Sequence, residues 1–175
     1  MDVRLKRAAC LASLACMAAL AWMLAWMTPL AAQEEPAAKL AKRFNFTFEA
    51  GLYPQQTPQE ALQSIIKALD TKKIDYLLAH LADPRFVDDR IEEYKSLQQG
   101  SDEAKTVLAF ERLMRETAQH FQEDPLLVKE LRLYLKDAEW DVQEATAIGS
   151  LKTASPHRVF FRKLEDRWFL QNKQQ

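Results

Sequence analysis

Few side chains in this chain stand at spacings that could do chemistry. Tyr76 and His80 lie at i and i+4, on one face of a helix if residues 74–81 are helical. A phenol and an imidazole so placed could serve as an acid/base pair at a pocket rim. The plainer reading is a surface or boundary pair, because both stand beside the Leu77-Leu78-Leu81 stripe rather than within it. Trp140 and Trp168 could line a ligand site, which is usually an apolar cleft with few polar groups. Tryptophans on adjacent strands are more often core, with the indole N–H partnered. Tyr76, His80, Trp140 and Trp168 are therefore the candidate ligand-binding residues, each weighed against a structural role. Asp83, Asp88, Asp89, Glu92 and Glu93 form an acidic cluster. With Arg85, Arg90 and Lys95 interspersed and no turn glycine, it reads as a solvated helix face, not a calcium loop.

The exclusions are sharper. Gly51, Gly100 and Gly149 are the only glycines, so no glycine-rich phosphate loop exists. His80, His120 and His157 are far apart and form no zinc-helix motif. No serine stands in a nucleophile-elbow context. Cys10 and Cys16 both fall before residue 33, so the rest of the chain has no disulfide, thiolate metal site or cysteine nucleophile. No catalytic residue, metal ligand or cofactor is assigned.

Both cysteines sit in a segment that carries its own message. Arg4, Lys6 and Arg7 precede an apolar run from Ala8 to Met27, followed by Thr28-Pro29-Leu30-Ala31-Ala32 and the polar Gln33-Glu34-Glu35-Pro36. That order predicts an export signal cut between Ala32 and Gln33. The alternative is an uncleaved membrane anchor over residues 8–27, with Trp22 and Trp26 at the interface. Either way the domain lies outside the cytoplasm, periplasmic or secreted. Without Asp2, Arg4, Lys6 and Arg7 the formal charge moves from −1 to −3. The domain is no nucleic-acid binder by charge, and no polybasic membrane patch is visible.

Residues 33–43 read as a linker, and residues 44–175 as one domain. Phe44, Phe46 and Phe48 alternate with Asn45, Thr47 and Glu49, which fits a strand, a segment draped on the core, or a docking strand for a partner. Asn45-Phe46-Thr47 also matches a glycosylation sequon. Helix starts follow at Thr57-Pro58 with Glu60, at Asp83-Pro84, at Ser101 and at Asp124-Pro125. A short amphipathic helix around Ile74–Leu81 lies between the first two. The longest helix shows a stripe of Val107, Phe110, Met114, Ala118 and Phe121. After Ala138 the pattern turns to strands, near 140–143, 146–152 and 158–164, with a return at 168–170 across Glu165-Asp166. Helices first and strands last predict an α+β fold, about five helices on an antiparallel sheet of three or four strands.

The segments Ala61–Asp70 and Ile74–Asp83, with the closing hairpin Val159–Leu170 and its Trp168, resemble the helix pair and last hairpin of nuclear-transport-factor-2-like (SnoaL-like, cystatin-like) domains. Residues 84–137 read as helix where that family has more strands. The resemblance implies a sheet wrapped on a helix around a cone-shaped pocket. It also admits either an isomerase or hydratase, with Tyr76 and His80 as candidates, or a non-catalytic exported domain. The expectation is a non-catalytic binding module of the cell envelope, with an envelope protein or a small ligand as partner. An envelope assembly module docking through residues 43–49 is the third reading.

Overall fold

Four capping residues set where the main helices begin. In the computed structural model, which describes residues 40–152 and 158–173, helix α1 (Pro58–Asp70) starts at Thr57. The Thr57 hydroxyl accepts from the Glu60 N–H while the Glu60 carboxylate accepts from the Thr57 N–H, a complete capping box. A single turn, α2 (Ile74–Tyr76), widens into a π-helix, π1 (Leu77–Leu81). Asp83, Ser101 and Asp124 cap α3 (Pro84–Ser96), α4 (Asp102–Glu123) and α5 (Pro125–Asp137), as the sequence predicts.

The chain divides into two units, Met1–Pro36 and Ala37–Gln175, and the description concerns the second. The apolar run 8–27, both cysteines, the Ala32–Gln33 boundary, most of the linker and His157 lie outside the described residues. No helix among the described residues is long and apolar enough to cross a membrane.

Strands β3 (Ala138–Val142), β4 (Thr146–Leu151), β5 (Arg158–Leu164) and β6 (Arg167–Leu170) form an antiparallel meander in sequence order. The α+β class and the C-terminal sheet are as expected. Glu165 takes a positive φ of 54° in the tight β5–β6 turn. Trp140 pairs with Gly149, and a Cβ at Gly149 would lie 3.1 Å from the indole. The ring therefore lies across the bare backbone of the neighbouring strand. Phe161 of β5 and Trp168 of β6 are buried in one core with α1 residues such as Leu62 and Ile65.

Two expectations need correction. Residues 43–49 are not one alternating strand. Lys42–Arg43 (β1) and Phe46–Thr47 (β2) form a hairpin whose turn is Phe44-Asn45, with φ of 48° and 69°. Positive φ at both central residues is the two-residue hairpin geometry that matches strand twist. The hairpin also takes in Lys42 and Arg43 from the expected linker. In α4 the buried face is Ala109, Phe110 and Leu113, whereas Val107 is 49% exposed. The first turns of α4 hold no fully buried residue, so an apolar residue at the right period stays half-exposed there.

Candidate functional site

Tyr76 and His80 are buried, 6% and 0% exposed, which overturns the surface or boundary reading. Both face the N-terminal hairpin. The His80 Nε2–H donates to the Phe46 carbonyl at 2.9 Å, and the Glu49 N–H donates to the Tyr76 hydroxyl at 2.9 Å. Burial raises the Tyr76 pKa above its ordinary value. Burial lowers that of His80, and the cations Arg167 and Arg43 push it the same way against the Phe46 bond. The Arg167 guanidinium lies over the Phe48 ring at 4.1 Å and donates to the Leu40 carbonyl. Phe44 stacks on Phe110 with centroids 4.3 Å apart, and Arg43 bridges to Asp88. The hairpin is thus clamped along its length by side chains from α2, π1, α3, α4 and β6.

The π-turn explains why one short element can face two ways. All five residues of π1 are buried. Its wider turn closes with the Ala82 N–H on the Leu77 carbonyl. The buried Gln55 amide donates to the His80 and Trp168 carbonyls at 2.9 and 2.8 Å, satisfying a helix-end carbonyl and tying π1 to β6. His80 therefore points to the hairpin, while Leu77 and Leu78 line the opposite side.

That opposite side is a cleft of about 970 Å³ between the helices and the sheet. Its apolar walls come from Leu77 and Leu78 of π1, Leu113 of α4, Leu131 and Tyr134 of α5, and Val159 of β5. Phe86, Phe121, Phe160 and Leu170 extend them. Polar groups stand among these walls: Arg90, Glu116, Thr117, His120, Glu130, Arg158 and Lys173. Arg90 and Glu116 belong to a network around Tyr94. The Tyr94 hydroxyl donates to Glu116 and accepts from Arg90, and Arg112 reaches Glu116 at 2.8 Å. The Tyr94 bond, then Arg112, holds the Glu116 pKa below its ordinary value.

None of Tyr76, His80, Trp140 and Trp168 is among the residues lining this cleft. Trp168 is buried in the core and Trp140 is half-buried on the sheet. The structure brings Tyr76 and His80 together, their rings 5.0 Å apart, at the clamp. In the sequence Phe121 stands only as part of the α4 stripe, and Phe86, Leu127, Leu131 and Tyr134 carry no local mark of a site. Their apolar periodicity was visible, but nothing local distinguishes a stripe that meets a neighbour from one that borders a void. The acidic cluster around Asp88 holds no metal-binding group among the described residues. No family model, curated protein or solved structure matches the chain.

Proposed function

We propose that this domain is a non-catalytic binding module of the cell envelope whose small ligand seats in the cleft between α4, α5, π1 and β5. The observation that carries the reading is the cleft itself, about 970 Å³, with walls of apolar side chains and charged and polar groups set among them. That size is near the upper end of the range of ligand sites, roughly 300–1,000 Å³. The envelope placement rests on the basic, apolar, small, polar order of residues 4–36. The helix pair followed by a closing hairpin supports kinship with the nuclear-transport-factor-2-like domains as part of the same proposal. The isomerase or hydratase reading depended on Tyr76 and His80 as a rim pair and is set aside, because both are spent on holding the hairpin. The docking-strand reading loses ground for a similar reason, since Phe44, Phe46 and Phe48 pack on the domain's own core.

The test uses the neutral fluorescent probe N-phenyl-1-naphthylamine with the full chain. Saturable one-to-one binding that is lost in Thr117→Trp, a substitution that fills the cleft, supports the reading. Leu131→Trp serves as the second blocking variant if the first fails to fold. Binding that survives in a folded blocking variant, or no saturable binding at all, refutes it. Cleavage at Ala32 is checked separately, by intact mass of the exported protein.

A further inference from the structure

Resting on the cleft reading, we propose that the ligand is an anionic amphiphile, an aliphatic chain lying in the cleft with its carboxylate or phosphate held by Arg158 and Lys173.

The charges around the cleft differ in how far they are already spent. Glu116 accepts from Tyr94 and Arg112 and lies 4.0 Å from Arg90. Arg90 also pairs with Glu93 at 2.6 Å. Glu130 is engaged as well. Arg158 and Lys173 are different. Neither makes an ion pair with a carboxylate among the described residues, and both are exposed to solvent.

Their placement makes them one site. Arg158 and Phe160 stand two apart on β5 and so share a face of the sheet. The Phe160 carbonyl accepts from the Gln171 N–H, which draws the C-terminal tail alongside. Lys173 then lies over the Phe160 ring at 5.3 Å. Two cations thus flank one aromatic residue of the cleft wall. The two cations without a carboxylate partner among the described residues stand beside Phe160, while Leu77 and Leu78 of π1, Leu113 of α4 and Leu131 of α5 supply apolar wall from other elements. An occupant that matches both is apolar along its length and anionic at one end. Charge-assisted hydrogen bonds to such a head are about twice as strong as neutral ones.

The experiment measures binding of dodecanoate, dodecyl phosphate and dodecanol to the full chain by calorimetry, below their micelle concentrations. At least one anionic probe is expected to bind about tenfold or more tightly than dodecanol, as one charge-assisted contact allows. The two anionic arms tell a carboxylate site from a phosphate site. In Arg158→Gln/Lys173→Gln the preference should vanish, with dodecanol binding unchanged. All three probes must lose binding in Thr117→Trp or, if that variant does not fold, in Leu131→Trp. If all three bind equally to the wild type and are blocked by the cleft variant, the head-group inference is overturned and the cleft reading survives. If none binds, or the cleft variant makes no difference, both fall. A chain that sediments as a dimer through this cleft and excludes all three probes also overturns the inference.

Discussion

At the level of single residues, His80 carries a charge-state constraint that its neighbours impose. It is fully buried, and burial with the cations Arg167 and Arg43 keeps its pKa below the ordinary 6.5. The sign of the pH effect follows. Above pH 6.5 the imidazole is neutral in both folded and unfolded chains and costs nothing. As pH falls below 6.5 the unfolded chain takes up the proton first, so stability declines until the folded pKa is reached. The urea midpoint of the wild type should therefore drop between pH 7 and pH 5 more steeply than that of His80→Gln. Parallel curves would show that His80 does not titrate as argued. Asp83 ties two elements together. Its carboxylate caps α3 through the Arg85 N–H and pairs with Arg162 of β5 at 3.0 Å while only 6% exposed. Asp83→Ala should cost about 2–4 kcal/mol in equilibrium unfolding, from a lost cap and a stranded partner charge. Asp83→Asn keeps the cap and should cost about half as much. The cap could be read from Asp83-Pro84. The ion pair could not, because nothing local relates residue 83 to residue 162.

Among the elements, helix starts and the β5–β6 hairpin were legible, since caps, prolines and turn residues act within a few positions. The faces of α4 and the path of residues 42–49 were not. The alternation of three phenylalanines does fit a strand. In the fold the chain reverses between Arg43 and Phe46, and Phe44 at that turn stacks on Phe110, a contact distant in sequence. Two substitutions check the α4 face. Phe110→Ala should destabilise by about 3–4 kcal/mol, and Val107→Ala by no more than about 0.5 kcal/mol. Comparable losses would place the buried stripe where periodicity alone had put it. Deleting residues 43–49 should lower the melting temperature sharply instead of merely removing a binding function, because the deletion uncovers His80, Tyr76 and Phe110. A deletion variant with wild-type stability would return the hairpin to the status of a docking strand.

For the whole molecule, class and topology followed from the order of helical and strand patterns, but the cleft did not. A void is a relation among α4, α5, π1 and β5, and its walls look like any other apolar stripe until those elements are in place. Occupancy should show up globally. A ligand that binds only the folded chain stabilises it by mass action, about 2.7 kcal/mol at a hundred times its Kd. Dodecanoate at that excess should raise the melting temperature of the wild type and leave the cleft-blocked variant unmoved.

The clamp on the N-terminal hairpin also imposes an order in time. The sheet joins strands adjacent in sequence, so its pairing needs only short loops to close. The bond from Arg167 to the Leu40 carbonyl spans 127 residues. A chain emerging from the ribosome can cap its helices, form the 42–47 hairpin and set it against His80 long before that bond exists. The first described residues are thus the last to be fastened, and they wait on the final strand. Synthesis must run past residue 167 before the Arg167 bond to Leu40 can form, so a chain stalled in α5 or β3 should leave Phe48 without its cation cover and open to proteases.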